Sequence, residues 1–310
     1  MSGIVVVGAV FVDIKGFPEA AYIPTGKNAG RVEYVHGGVS RNVCEDLCNI
    51  GIDTTYLSVV DDSALGKEVI ERLKEKNINT EYIDVKENGM GTWLVVFNEE
   101  GDVAGSISQR PDITSIDEVL DKYGDEIFKD CDSAVIEIDM EEKTVDKIIA
   151  LCKKYNKKLF GVVSNIQEVI KRRELVQNLD CFVCNQLEAS LFFSKYIQDL
   201  GIKELEVALK ERVMAANIKS IVVTAGDHGA VYASMDGDSG IVPARTVKVK
   251  DTTGAGDSFC AGVAAGLTYG CSLREAVEIG TRIASSVIVT RENVCPIFRS
   301  EELGLKIEKE

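Results

Sequence analysis

The chain has 310 residues, of which 45% are apolar, and it carries a formal net charge of −15. This length exceeds what a single hydrophobic core usually supports, so we expect a large α/β domain with an appendage, or two domains. The acidic surface argues against nucleic-acid polymers and anionic membranes as partners. No apolar run reaches the roughly 20 residues of a spanning helix. The amino terminus reads as a strand and lacks signal-peptide features, so we predict a cytoplasmic protein.

Strand-like and helix-like segments alternate along the chain. The predicted strands are 4–8, 56–60, 133–138, 158–163, 181–184 and 220–224. The predicted helices are 40–50, 64–76, 143–155, 166–177, 202–216, 256–268 and 273–289. This alternation is typical of a mostly parallel sheet with helices on both faces.

Two segments in the first third interrupt the alternation. Residues 10–36 lack a helical period and end in a strand-like run, and residues 91–107 read as a hairpin with a turn at 98–102. We predict that these segments form a small β-sheet lid. The predicted division is a catalytic α/β domain of residues 1–9, 37–88 and 110–310, with a lid of residues 10–36 and 89–109.

The clearest chemical motif lies in residues 250–259, where a strand ends, small residues turn, and a helix begins at about Ala255. The backbone N–H groups of Gly254, Ala255 and Gly256 can converge at the positive end of the helix dipole and form an anion hole. Asp257, in the first turn, can accept the proton of an attacking hydroxyl. Phosphoryl transfer needs alignment, charge neutralisation and such a base. The alternative is that Asp257 only caps the helix.

Two common phosphate-binding motifs are missing from the sequence. It contains neither G-x-x-x-x-G-K-[ST] nor a G-x-G-x-x-G that follows a strand. A Walker-A nucleotide hydrolase and a dinucleotide-dependent oxidoreductase are therefore disfavoured.

Residues 251–262 resemble the carboxy-terminal signature of the PfkB family of carbohydrate and nucleoside kinases, and residues 37–51 resemble its amino-terminal signature. The block at 60–80 is similar to the one that follows in the family. The resemblance implies a ribokinase-like three-layer α/β sandwich with a mostly parallel central sheet and a β lid. It also implies transfer of the γ-phosphoryl group of ATP to a hydroxyl group, with Mg²⁺ and a monovalent cation such as K⁺.

The resemblance implies roles for residues that a sequence pattern alone would assign to turns and helix starts. The implied substrate residues are Asp13, Asn28, Gly37, Gly38 and Asn42. Asp13 and Asn42 would hold sugar hydroxyls, and Asn28 would reach the substrate from the lid.

Further matched positions concern ATP and metal ions. The implied ATP-binding residues are Asn185, Glu188, Thr224, Gly226 and Gly229. Glu188 would order Mg²⁺ through water, and Asp251 with Thr253 would contribute to a monovalent-cation site.

The substrate is less defined than the reaction. Residues 13–16, 28–32 and 292–296 look like the pseudouridine kinase branch, which favours the 5′-hydroxyl of pseudouridine. Two segments depart from that branch. Gly161-Val162-Val163-Ser164 stands where it usually has Asp-Pro-Val-Ser, and Ser108-Gln109-Arg110 replaces an expected acidic residue. These changes leave recognition of the base open. The alternatives are a kinase of ribose, fructose or a phosphorylated hexose, and a non-catalytic nucleoside or sugar sensor. Exposed lid strands would allow a homodimer.

Overall fold

The computed structural model describes residues 3–307. Residues 1–2 and 308–310, at the two ends of the predicted catalytic domain, lie outside this part. The strands are β1 (Ile4–Val7), β2 (Val10–Pro18), β3 (Gly30–Gly37), β4 (Thr54–Val60), β5 (Ile83–Val85), β6 (Met90–Phe97), β7 (Val103–Gln109), β8 (Ser133–Glu137), β9 (Lys158–Val162), β10 (Cys181–Asn185), β11 (Ser220–Thr224), β12 (Ala230–Ser234) and β13 (Ser239–Val242). The helices are α1 (Val39–Asn49), α2 (Ala64–Glu75), α3 (Ile116–Asp130), α4 (Glu142–Tyr155), α5 (Ile166–Lys171), α6 (Gln186–Phe193), α7 (Ile202–Ala215), α8 (Ala255–Thr268) and α9 (Leu273–Val287).

The large sheet has nine strands in the order β13-β12-β11-β10-β9-β8-β1-β4-β5. Neighbours from β11 to β5 are parallel, whereas β12 and β13 pair antiparallel at one edge. This confirms the predicted α/β class. In such a sheet the carboxyl ends of the parallel strands form a common edge where ligands usually bind.

Helices cover both faces of the large sheet and make a three-layer sandwich. Along β1, Ile4 and Val6 pack in one core with side chains of α1, α8 and α9, and Val5 and Val7 pack in the other with α3, α4 and α7. Successive strand side chains point to opposite faces, so a continuous apolar run is what a sheet buried on both sides requires.

The small sheet has the order β3-β2-β6-β7. β2 pairs antiparallel with β3 and parallel with β6, and β6 forms the predicted hairpin with β7. The Asn98 N–H donates to the Asp102 carbonyl at 2.8 Å and closes the hairpin turn. The sequence pattern did not single out β2. The small sheet is thus part of the fold, and its action as a separate lid stays a prediction.

Some elements differ from the sequence prediction. The helix predicted over 166–177 ends at Lys171, because Arg172 leaves the helical region (φ −137°, ψ 53°) and a 3₁₀ turn covers Arg173–Asn178. Helix α3 was not predicted, because its buried apolar positions are separated by many charged residues. Between residues 3 and 307, no helix combines the length and apolar character needed to cross a bilayer.

Candidate active site

The amino terminus of α8 is shaped by two glycines with different surroundings. Gly254 precedes the helix with φ +79°, and a Cβ there would lie 2.0 Å from the Asn293 carbonyl oxygen. Glycine is therefore required at this position by the protein itself. A Cβ at Gly256 would meet no heavy atom within 4 Å in the described structure. The space beside Gly256 is thus available to a ligand.

The three N–H groups of the predicted anion hole are not equivalent. The Ala255 N–H donates to the Thr252 carbonyl at 3.2 Å, which is a long bond that closes the turn before α8. First-turn N–H groups have no acceptor within their own helix. A phosphoryl group would therefore compete with Thr252 for Ala255, and Gly254 and Gly256 are the better placed of the three.

Asp257 lies in the first turn of α8, half-buried. Its Oδ2 accepts a 2.6 Å hydrogen bond from Nδ2 of Asn42 on α1. Loss of solvation raises the pKa of Asp257 to about 6, while the Asn42 bond and the charge of Arg41 act in the opposite direction. At neutral pH the group is mostly ionised and is still basic enough to take a proton.

Arg41 holds the Asn42 amide in this orientation. The Arg41 side chain is fully buried and donates to Oδ1 of Asn42, so Nδ2 is the amide atom left to face Asp257. Arg41 also donates to the carbonyls of His36 at 2.6 Å and Gly37 at 3.0 Å, and it pairs with buried Glu45 one helical turn away. One planar guanidinium therefore joins the Gly-Gly turn to α1.

Asp13 on β2 and the glycine pair lie together. A Cβ at Gly37 would be 2.7 Å from Oδ1 of Asp13, so the missing side chain leaves space for that carboxylate. Gly38 has φ +100° and packs against the backbone of Ala9 and Phe11. Burial raises the pKa of Asp13, partly offset by Lys15 and Arg41, and Asp13 in turn raises the pKa of Asp257. Asp13, Asn42 and Asp257 thus form one polar cluster.

Asn28 has a different environment from these residues. Its Oδ1 accepts from the Ile23 N–H at 2.9 Å, and its Nδ2 donates to the carbonyls of Ile23 at 3.0 Å and Gly26 at 3.4 Å. The side chain therefore braces the connection between β2 and β3. A contact from Asn28 to substrate stays a prediction and would require this loop to rearrange.

Asn185 and Glu188 form a reciprocal capping box at the start of α6. The Glu188 N–H donates to Oδ1 of Asn185, and the Asn185 N–H donates to Oε2 of Glu188, both at 2.8 Å. Burial raises the pKa of Glu188, and the nearby Asp139 carboxylate raises it further.

These residues suit a hydrated Mg²⁺ better than a directly ligated one. Glu188 and Asp257 disfavour each other's charge, which a divalent cation would relieve, and the capping bond to Glu188 uses only Oε2. Within residues 3–307 no group of three or more His, Cys, Asp or Glu side chains could hold an ion. Mg²⁺ usually keeps several waters and binds through substrate phosphates.

The remaining predicted cofactor residues lie at the end of β11 and in the turn that follows it. Thr224 ends β11, and Gly226 (φ +57°) and Gly229 (φ +101°) flank a tight turn closed by the Ala225 N–H on the Gly229 carbonyl at 2.8 Å. No side chain at Gly226 obstructs an approaching nucleotide.

Asp251 and Thr253 are joined in the turn before Gly254. Oδ1 of Asp251 accepts from Thr253 N at 2.9 Å and from Thr253 Oγ1 at 2.7 Å. The pair stabilises the turn that leads to the anion hole. A monovalent cation at this position stays a prediction.

Three buried acidic residues were not found by sequence reasoning. Glu137, at the end of β8, accepts from Ser40 N at 2.9 Å, and burial raises its pKa to about 8. Asp46 joins α1 to Ser258 and Cys295, and Glu45 pairs with Arg41. The sequence did contain a signal for Glu137, because it is a charged residue at the end of the apolar strand β8. Ser258 and Cys295 each lie more than 200 residues from Asp46 in the chain. These contacts therefore leave no local pattern in the sequence.

A cleft of about 780 Å³ opens next to Gly38. Its inner wall includes Phe11 and Glu137, and its outer part includes Arg110, Asp139 and Ser164. The cleft follows the carboxyl ends of β8 and β9, at the edge of the sheet where the polar cluster lies.

The chain is similar to known proteins over nearly its whole length. The family model described as pfkB family carbohydrate kinase matches residues 1–296. A guanosine-inosine kinase of Exiguobacterium acetylicum is 34% identical over 297 residues, covering 94% of this chain and 96% of that protein. A pseudouridine kinase of Escherichia coli K12 is 21% identical, covering 92% and 90%. The structure of Arabidopsis thaliana ribokinase with ribose and ATP superimposes with a TM-score of 0.83 at 18% identity, covering 98% of each chain.

Proposed function

We propose, from the premise that this chain belongs to the pfkB family of carbohydrate kinases, that it phosphorylates the 5′-hydroxyl of a ribonucleoside. The chain is an ATP-dependent carbohydrate or nucleoside kinase. One observation supports the residue assignment most strongly. Asp257 has a raised pKa of about 6, is bonded to Asn42, and lies at the positive end of a 14-residue helix beside the open space at Gly256.

In the proposed mechanism, Asp257 accepts the proton of the substrate hydroxyl as the new O–P bond forms. The bond between the γ-phosphorus and the bridging oxygen breaks, and its electron pair leaves with ADP. The N–H groups of Gly254 and Gly256 and the dipole of α8 would stabilise charge on the transferring group. When bound, Mg²⁺ supplies neutralisation of phosphate charge. Asp13 and Asn42 would hold the sugar so that its hydroxyl faces Asp257.

Guanosine and inosine are the first substrate candidates. The relative named guanosine-inosine kinase is 34% identical across nearly the whole chain, whereas the pseudouridine kinase is 21% identical. Pseudouridine is the second candidate, favoured by the motifs at 13–16 and 28–32. Free ribose or fructose would need the same contacts to sugar hydroxyls but no contacts to a nucleobase.

The deciding experiment measures ADP production by the purified protein with ATP and Mg²⁺. The acceptors are guanosine, inosine, pseudouridine, uridine, adenosine, ribose and fructose. We expect a ribonucleoside to have the highest kcat/KM, and its 2′-deoxy analogue and the Asp13→Ala variant to lose most of it, because buried hydroxyl-binding groups would be left unpaired. A free sugar used tenfold better would refute the nucleoside assignment. Binding of a nucleoside without any ADP production would favour the alternative of a non-catalytic nucleoside or sugar sensor.

We propose a homodimer formed through the small sheet. Tyr34, Ile14, Leu94 and Ile107 lie side by side across its four strands, on the face opposite to Asp13. Tyr34, Leu94 and Ile107 are 60%, 40% and 70% exposed. A second copy would bury this row. Light scattering should show a dimer that Ile107→Lys converts to a monomer, and a wild-type monomer would refute the proposal.

A further inference from the structure

The cleft lies next to the predicted sugar site, although Asp13, Gly38 and Asn42 are not among its lining residues. A Cβ at Gly38 would lie 3.0 Å from the Phe11 nitrogen, and Phe11 lines the cleft. Phe11 and Asp13 are two residues apart on β2 and therefore share a face of the strand. We therefore place the substituent on the C1′ carbon of a ribose held by Asp13 in this cleft.

The cleft offers an aromatic wall and a pair of opposite charges. The Phe11 ring packs against Gly91. A Cβ at Gly91 would lie 2.4 Å from the ring, so the glycine leaves the space that the ring occupies. Asp139 accepts from Ser164 N at 3.0 Å and from Ser164 Oγ at 2.7 Å, which fixes the carboxylate. A carboxylate has about four acceptor positions, so two remain for a ligand.

Arg110 is the matching cation. It follows β7, and its Nη2 lies 3.7 Å from Glu168 at the amino-terminal end of α5. Asp139 and Arg110 both line this cleft. Burial raises the pKa of Asp139, and the hydrogen bonds from Ser164 and the charge of Arg110 oppose this rise. The Arg110 side chain is half exposed, so it is free to adjust to a ligand.

We propose that this cleft selects a 6-oxopurine base, with Arg110 donating to O6 and N7 and Asp139 accepting from N1–H. The inference rests on the proposed nucleoside kinase function and adds the class of base and the residues that read it. Phe11 forms the apolar wall against which the base lies.

The donor and acceptor pattern selects this class. Guanine and hypoxanthine have two adjacent acceptors, O6 and N7, which suit the two-pronged guanidinium, and their N1–H donor lies beside O6. Adenine has an N1 acceptor and a 6-amino donor there, so both contacts would be reversed. Uracil, whether attached through nitrogen or carbon, has an N3–H donor but no second acceptor beside O4. The 2-amino group of guanine can give Asp139 a second hydrogen bond.

Arg110 also lies at a departure from the pseudouridine pattern. Residues 108–110 replace an acidic residue expected in that branch, and Arg110 lines this cleft. A positive charge in place of a negative one would change which base the cleft accepts.

The test compares substrates that differ by a single group. With wild-type protein, inosine should exceed 1-methylinosine, which lacks N1–H, and guanosine should exceed 7-deazaguanosine, which lacks N7. We expect ratios of kcat/KM of roughly 10 to 100, the usual value of a hydrogen bond to a charged partner. Asp139→Asn should reduce the first ratio to near one, and Arg110→Gln should do the same for the second.

Matched control variants come from the rim of the same cleft. Lys171 pairs with Glu168 at 2.7 Å, so Lys171→Gln removes a positive charge from the partner that Arg110 also contacts. Glu141→Gln removes a negative charge two residues from Asp139. Both controls should keep the wild-type ratios. Isothermal titration of each nucleoside with each variant gives the same comparison without turnover.

The outcomes separate this inference from the kinase assignment. If inosine and 1-methylinosine are used equally, or if the control variants change the ratios as much as Asp139→Asn and Arg110→Gln do, the base-reading proposal is refuted while nucleoside kinase activity stands. Preference for adenosine or pseudouridine also refutes it. If only free sugars are phosphorylated, the proposed nucleoside function itself fails.

Discussion

The side-chain amide of Asn42 donates to the Asp257 carboxylate across 2.6 Å, joining α1 to the first turn of α8. This bond favours the ionised form of Asp257, whose pKa burial raises to about 6. The base must be ionised to act, so activity should be lost as pH falls through that pKa. Asn42→Ala removes a donor to the charged form, so the pKa should rise.

We expect the acid limb of the kcat profile of Asn42→Ala to move by about one pH unit toward higher pH, the value of one charge-assisted hydrogen bond. The measurement is kcat between pH 5 and 9, since kcat reports groups in the bound complex. An unchanged acid limb with a lower plateau would mean that Asn42 only positions the substrate.

The second prediction concerns the proton acceptor. Asp257→Asn keeps the shape of the side chain but cannot take a proton. We expect kcat to fall by roughly 10²–10⁴, the usual contribution of a positioned base. Binding of ATP and nucleoside, measured by titration calorimetry, should stay within a few fold. Near-normal turnover would show that Asp257 acts only as a helix cap.

The third prediction uses one substitution at two neighbouring glycines. Gly256→Val places a side chain in open space beside the proposed phosphate position, so kcat should fall about 10²-fold or more with little change in Tm. In Gly254→Val the new side chain would clash with the Asn293 carbonyl, and valine would have to adopt an unfavourable positive φ. The Tm of this variant should therefore fall clearly. Circular dichroism melts and ADP production measure both. A large drop in Tm for Gly256→Val would assign that glycine to packing.

The local parts of this structure could be predicted from the sequence. The strand 220–224 matches β11, and the turn into α8 at Ala255 was predicted because small residues, a turn and a helix start leave a local signal. Contacts between segments that are distant in the chain could not be predicted from the sequence. Arg41 was read only as part of a motif, and its buried bonds to the His36 and Gly37 carbonyls depend on how α1 packs under the small sheet. The bracing role of Asn28 likewise depends on the path of its loop.

The fourth prediction tests Arg41 as an anchor of the site. Arg41→Lys keeps the charge, but one ammonium cannot replace the guanidinium contacts to His36, Gly37, Asn42 and Glu45. We expect a loss of about 2 kcal/mol or more in the free energy of unfolding, together with a lower kcat.

The matched control for Arg41 is Arg72→Lys. Arg72 also pairs with Glu45, at 3.1 Å, but the Arg72 side chain is 35% exposed. This pair links α2 to α1 and does not involve the glycine turn. This variant should lose less stability and keep its kcat. Urea unfolding and initial rates would measure both proteins. Equal effects of the two substitutions would show that the guanidinium hydrogen bonds to Glu45, rather than those to the turn and Asn42, are the role of Arg41.

The fifth prediction concerns Asp46, which accepts from Cys295 N at 2.6 Å and Ser258 Oγ at 2.7 Å. Burial raises its pKa to about 7 from an ordinary 3.8, so the folded state binds a proton that the unfolded state has lost. This contribution to stability is complete below about pH 4 and is lost as pH rises through 7. Asp46→Asn can keep both bonds, because its carbonyl accepts from Cys295 and its amide can donate to Ser258.

The free energy of unfolding of Asp46→Asn relative to wild type should therefore increase by about 2 kcal/mol between pH 5 and pH 8. Urea unfolding at the two pH values measures this difference. Glu137, with a pKa of about 8, contributes a dependence of the same sign to both proteins, and it cancels in the comparison. An identical difference at the two pH values would mean that Asp46 stays ionised in the folded protein. In that case Cys295 and Ser258 would stabilise its charge more than burial opposes it.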